Sequence, residues 1–222
     1  MRLSGLICLL GYAFCLPLAT IAQQATITHN DLTVSYSIAI KGKRENTGIG
    51  EAYNGGTKTL FVSDGLVRVR QISLMRMQDI FILPPGNVQR KAAILKESGK
   101  YRYKSYLDTA QWARYNNKYN HALCEESSEK ATIAGYSCNK AIVKLTDGRF
   151  ITVYYTSQLP HVAAVIAEPA FACVPGLVLK YEYKSRKNTI TYTATSVSRK
   201  DIDQNILKVP SKGYEEKKWT EN

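Results

Sequence analysis

Leu32, Val34, Tyr36, Ile38 and Ile40 alternate with Thr33, Ser35, Ser37, Ala39 and Lys41. A period of two residues puts the first set on the buried face of a β-strand and the second toward solvent. The polar stretch 43–56 ends that strand, residues 57–62 read as a second, and residues 66–72 as a third across the Ser63-Asp64-Gly65 turn. Asp-Gly between two strand patterns is a strong hairpin signal. The Pro84-Pro85-Gly86 break follows, then weak helical character over 88–97, then alternation again over 100–107. Asp108 or Thr109 is placed to cap a short helix running to Tyr115. Residues 131–145, 149–156 after the Asp147-Gly148 turn, 177–183 and 189–197 return to the strand period. Residues 158–176 break it with Pro160, Pro169 and Pro175 around the apolar run Val162 to Ala167, which reads as a lid helix or a packed loop. The expected fold is mostly β: one curved antiparallel sheet, open or a half barrel, with a few short helices as a lid.

The first residues follow a different logic. Arg2, an apolar run from Leu6 to Leu16, Pro17, and the small residues Thr20 and Ala22 before Gln23 have the order of a secretory signal peptide. Residues 1–22 are therefore expected to be removed, leaving a single domain over 23–215 and a frayed tail over 216–222. The expected location is outside the cytoplasm, in the periplasm.

Charge adds a second constraint. The chain holds 30 Lys and Arg against 18 Asp and Glu, a formal +12. For an exported protein such an excess favours anionic lipid, lipopolysaccharide or acidic glycans over nucleic acid. Arg68 and Arg70, Arg102 and Lys104, and Lys180 and Lys184 alternate with apolar or aromatic neighbours, so they are expected on the solvent side of their strands. Such basic strand faces could meet an anionic envelope surface or simply guard against edge-to-edge aggregation.

Three cysteines remain after the leader: Cys124, Cys138 and Cys173. Oxidising conditions permit a bridge, and Cys124 with Cys138 across two antiparallel strands is the first candidate, closing a loop for about 3 kcal/mol in the chain-entropy description. Cys138 with Cys173, or three unpaired thiols, are the alternatives. No C-x-x-C, H-E-x-x-H, P-loop, G-x-G-x-x-G or G-x-S-x-G pattern occurs, so no cofactor, metal or catalytic residue is expected. The carboxylate neighbours Glu125-Glu126 and Asp201 with Asp203 read as solvated turns rather than a glycosidase pair. Tyrosine is abundant at 15 residues, and tyrosines facing inward need hydroxyl partners, as in a wet cavity, a barrel mouth or an ordinary core.

Ile133 to Ala141, Thr152 to Thr156, Val174 to Val178 and the closing Val209 to Tyr214 carry a resemblance. These stretches resemble secreted Bacteroidota proteins of unknown function related to the GLPGLI family, with Pro175, Gly176 and Leu177 agreeing with the namesake motif. The strand order is similar to the lipoprotein-carrier fold of LolA and LolB. That resemblance implies a curved sheet around a hydrophobic cavity, non-enzymatic binding of a hydrophobic or lipidated ligand such as an acyl chain, and a place in lipid or lipoprotein handling. It transfers no individual residue. Alternation alone assigns Tyr36, Ile38, Ile40, Val153, Tyr155, Leu179 and Tyr181 to the concave, ligand-facing side. The alternative function is a protein-interaction or sensor module of the envelope using the same sheet.

Overall fold

The structure is a computed structural model and describes residues 31–42, 54–84, 90–185 and 187–221. The expected leader over 1–22, most of the 43–56 loop and Pro85-Gly86 lie outside these residues. Within them the chain forms one sheet of twelve strands, open rather than closed into a barrel. The strands are β1 (Leu32–Gly42), β2 (Thr57–Ser63), β3 (Leu66–Ile72), β4 (Arg76–Ile82), β5 (Ala92–Ser98), β6 (Tyr101–Leu107), β7 (Leu123–Ile133), β8 (Tyr136–Lys144), β9 (Phe150–Thr156), β10 (Leu177–Ser185), β11 (Asn188–Ser198) and β12 (Glu215–Glu216). Two short helices accompany them, α1 (Thr109–Tyr115) and α2 (Val162–Ala167).

The spatial order is β12-β6-β5-β4-β3-β2-β1-β11-β10-β9-β8-β7. Two antiparallel meanders thus meet at the long-range pairing of β1 with β11, where Ile38 faces Tyr192 and Tyr36 faces Ala194. The alternation of β1 is realised: Leu32, Val34, Tyr36 and Ile38 are buried. Bulges at Ser35/Tyr36 and Val178/Lys180 interrupt the ladders, and such insertions bend and twist a strand.

Turn chemistry explains the hairpins. Asp64 and Gly65 both have positive φ, at 46° and 80°, the backbone a two-residue hairpin turn requires. Ala134 and Gly135 do the same at 49° and 85°. Alanine rarely enters that region, which is why the pattern over 131–145 read as one stretch although the chain reverses there from β7 into β8. The expected helical character over 88–97 is corrected as well. Its described part is β5, because Ala92, Ala93, Ile94 and Leu95 are buried on both faces of the sheet and lose the period-two signal. The cap reading holds for α1: the Asp108 carboxylate accepts from Gln111 N at 2.7 Å, and the Gln111 side chain accepts from Asp108 N at 3.0 Å, a reciprocal capping box.

Residues 157–176 leave β9, place α2 against β2, β3 and β4, and return to β10, the neighbour of β9. This crossing segment covers one face of the sheet and completes the main core, with Leu60, Val67, Val153 and Leu179 from the sheet and Ala164, Ala167 and Phe171 from the segment. The return is tight at Gly176, where a Cβ would lie 2.5 Å from the Thr156 carbonyl oxygen.

The opposite face has its own small core of Phe81, Ala93 and Leu95, covered by Val209 and Tyr214 of the C-terminal segment. Here the expected solvent-facing basic residues are corrected. Arg68 is buried, donating to both Asp79 carboxylate oxygens at 3.0 and 2.8 Å and to the Ile206 carbonyl at 2.7 Å. Lys104 is also buried and donates to the Pro210 carbonyl. Their side chains do alternate away from the main core, but the chain folds back over them. Glu215–Glu216 pairs in parallel with β6, and Lys217 N donates to the Lys104 carbonyl at 2.8 Å.

The disulfide joins Cys124 to Cys173, with Cα atoms 5.7 Å apart, which corrects the Cys124–Cys138 expectation. β7 and β8 do pair, but their register sets Cys124 opposite Val143 and Cys138 opposite Ala131. Cys138 stays a buried free thiol. The bridge therefore pins the crossing segment to β7, the far edge of the sheet.

Candidate functional site: an aromatic cavity under the crossing segment

The site begins with a residue that breaks the pattern. On β2 the inward positions Lys58, Leu60 and Val62 are all buried, so a lysine occupies a place built for an apolar side chain. Its side chain is 3% exposed and its ammonium lies 2.5 Å from Glu168 Oε1, at the end of α2. Burial pushes the Lys58 pKa down, and the Glu168 carboxylate opposes that shift. The ammonium also donates to the Tyr181 hydroxyl at 3.3 Å and stands 4.6, 4.9 and 5.8 Å from the ring centres of Tyr36, Tyr181 and Tyr192. A desolvated cation over aromatic faces is held by their quadrupoles as well as by its counter-ion.

The rings form a connected stack. Tyr181 and Tyr192 lie parallel at 4.3 Å, Tyr183 stacks on Tyr192 at 6.4 Å, and Phe171 tilts onto Tyr181 at 5.0 Å. Burial raises the phenol pKa of Tyr36, Tyr181 and Tyr192 well above its ordinary value, with the Glu168 charge adding to the shift. The Tyr36 hydroxyl is satisfied by the Val178 carbonyl at 2.8 Å.

Beside this stack lies a cavity of about 360 Å³. Its sheet wall comes from Lys58, Val69, Gln71, Gln78 and Ile80 on one meander and Tyr181, Tyr183 and Tyr192 on the other. Tyr115 of α1, with Asn116 and Tyr119 after it, forms one side, and Glu168 to Phe171 of the crossing segment another. The exposed residues Lys118, Arg149, Phe150 and Lys184 stand at its mouth. Burial and the neighbouring Arg149 push the Lys118 pKa down.

The residues assigned to the concave side by alternation are distributed unequally. Tyr36, Ile38, Val153, Tyr155, Leu179 and Tyr181 are buried and Ile40 is half-buried, all in or against the main core. Only Tyr181 among them lines the large cavity. Tyr36 borders a second space of about 10 Å³ under α2, room for about one water. The crossing segment fills most of the concave face, so alternation finds the face but not the space left open over it. Lys58, Glu168, Tyr192 and Arg149 went unrecognised in the sequence. Lys58 had left a signal, a charge in register with Leu60 and Val62.

The carboxylate neighbours are engaged elsewhere. Glu125 pairs with Lys144, Glu126 accepts from the Tyr155 hydroxyl at 2.8 Å, and Asp203 accepts from Asn205 N at 2.9 Å at the start of a 3₁₀ turn. Among the described residues no group of three His, Cys, Asp or Glu is placed to hold a metal ion.

These observations define the class: an open antiparallel sheet whose concave face is crossed by a helix-bearing segment and keeps one aromatic, cation-rimmed cavity. No protein-family model and no curated protein matches the sequence. Solved structures are similar to it in fold. PNGF-II is similar over 85% of this chain and 32% of its own length, at 17% identity and a TM-score of 0.47. This chain thus spans about a third of that protein. MucB, described in complex with the periplasmic part of MucA, is similar over 82% of this chain and 54% of its own, at 12% identity and a TM-score of 0.40. The Mycobacterium tuberculosis lipoprotein LppX is similar over 73% of this chain and 84% of its own, at 9% identity and a TM-score of 0.36.

Proposed function

We propose that this protein binds a hydrophobic or lipidated ligand without chemical turnover and serves lipid or lipoprotein handling in the cell envelope. The observation that carries the reading is the cavity of about 360 Å³ between the sheet and the crossing segment, walled by Val69, Ile80, Phe171 and stacked tyrosines. Its size falls within the range of small-molecule sites, and its lining is apolar and polar in about equal measure. Each methylene moved from water onto these walls contributes about 0.8 kcal/mol. The leader-like N-terminus supports action outside the cytoplasm.

The test is native mass spectrometry of the protein purified gently from its own envelope, followed by solvent extraction. Adducts that extract as acylated molecules support the reading. A clean apo mass that persists after lipids are added overturns it. A second reading, a protein-interaction module, draws on the exposed Leu74 and Met75 at the tip of the β3–β4 hairpin, 90% and 71% accessible. Adjacent apolar side chains at a hairpin tip could serve as one part of a larger contact surface.

A further inference from the structure

The cavity has a polarity that hydrophobic binding alone does not require. Four cations line it, Lys58, Lys118, Arg149 and Lys184, against one carboxylate, Glu168. Glu168 is taken by Lys58 at 2.5 Å, deep in the site. Arg149 at the mouth is paired with Asp147. Neither Lys118 nor Lys184 forms an ion pair among the described residues. The inner end is thus electrically balanced and aromatic, and the outer end carries three cations, Lys118, Arg149 and Lys184, against the single carboxylate of Asp147, which pairs with Arg149 and also acts on Lys118.

Size adds a limit. At about 360 Å³ the cavity lies near the lower end of the roughly 300–1,000 Å³ range of small-molecule sites. That matches one short chain with its head group and is too little to enclose a two-chain lipid.

Resting on the binding reading above, we infer that the ligand is an anionic amphiphile. Its single short alkyl chain lies inward against Phe171, Tyr181 and Tyr192, and its carboxylate or phosphate head is held at the mouth by Lys118, Lys184 and Arg149. The inward aromatic walls favour the chain by burial of apolar area. The mouth favours an acid through charge-assisted hydrogen bonds from two ammonium groups and a guanidinium. A cationic head is repelled at the same place, so the site discriminates by charge and not only by length.

The experiment uses the leaderless protein and four probes of one chain length: decanoate, decyl phosphate, decanol and decylammonium, each below its micelle concentration. Isothermal calorimetry at low and high salt gives the affinities. The expected result is that at least one acid binds tenfold or more tighter than decanol, with that advantage shrinking at high salt, and that decylammonium binds most weakly. Whichever acid binds tighter identifies the head as carboxylate or phosphate. Lys118→Ala with Lys184→Ala should remove most of the preference for the acids, read as the ratio of acid to decanol affinity within the same variant. Both are exposed side chains, and the Lys118→Glu/Lys184→Glu variant should turn the preference toward decylammonium. Equal binding of acid and alcohol, or an acid preference untouched by both variants, overturns the charge assignment and leaves the hydrophobic reading standing. Failure of all four probes to bind overturns both.

Discussion

Lys58 on β2 and Glu168 at the end of α2 form a 2.5 Å ion pair that ties the crossing segment to the sheet it covers. The lysine side chain is 3% exposed and the glutamate 19%, so neither charge is free to return to water without moving the segment. Removing one partner of such a pair leaves a buried charge uncompensated, at about 3–5 kcal/mol. Glu168→Gln should therefore lower the denaturant midpoint substantially without changing the slope. Combining it with Lys58→Met should recover most of the loss, because a buried pair replaced by apolar volume is often close to neutral. Chemical unfolding of the two single variants and the double variant checks this. A double variant as unstable as the sum of the singles would show that the pair's mutual neutralisation is not what matters.

The Cys124–Cys173 bridge closes a loop across a sequence separation of 49 residues. The chain-entropy description assigns such a loop about 4 kcal/mol. Reduction, or Cys173→Ala, should destabilise the protein by an amount of that order and loosen the crossing segment before the sheet unfolds. Alkylation of the oxidised, leaderless protein under denaturing conditions should label Cys138 alone. Labelling at all three cysteines would refute the bridge.

Alkaline pH should unfold the protein cooperatively. The phenols of Tyr36, Tyr181 and Tyr192 are raised above their ordinary value of 10.0, chiefly by burial. The folded form then holds these protons more tightly than the unfolded chain. The resulting stability is intact below about pH 10 and is lost as pH rises from there through the folded-state values. Ultraviolet titration of tyrosinate should show the Tyr36, Tyr181 and Tyr192 rings ionising together with unfolding. Smooth ionisation of all tyrosines with the fold intact would contradict the buried stack.

The C-terminal segment acts as a strap over the second core. Val209 and Tyr214 cover Phe81, Ala93 and Leu95, and Lys104 donates to the Pro210 carbonyl. Removing residues 209–222 should cost about 2 kcal/mol or more, the scale of uncovering one or two large apolar side chains, and should increase binding of a hydrophobic dye. Unchanged stability and dye binding would mean the strap contributes nothing in solution.

Local chemistry in the chain was enough for the strands and several of their turns. The alternation from Leu32 to Ile40, the Asp64-Gly65 hairpin and the Asp108 cap of α1 each depend on neighbours within a few residues, and each is present. Where both faces of a strand are covered the local signal fades, as in β5, whose buried Ala92 to Leu95 run mimics a helix. Alternation also separates the two faces of the sheet without saying what lies over either one. Arg68 and Lys104 point away from the main core as their positions require, yet a segment more than a hundred residues later buries them.

The site shows the same division. A lysine in register with Leu60 and Val62 is visible in the chain, but its partner Glu168 lies 110 residues away and meets it only because α2 crosses to the other half of the sheet. Cysteine content and an export-like leader make a disulfide reasonable from sequence, while strand register chooses Cys173 over Cys138 as the partner of Cys124. The sequence by itself determined the periodicity, the caps and the charge, because these follow from interactions between near neighbours. Which charges are buried, which cysteines join and where the cavity opens were decided by tertiary structure. All three depend on long-range strand pairing and on the path of one connecting segment, which local propensity does not specify.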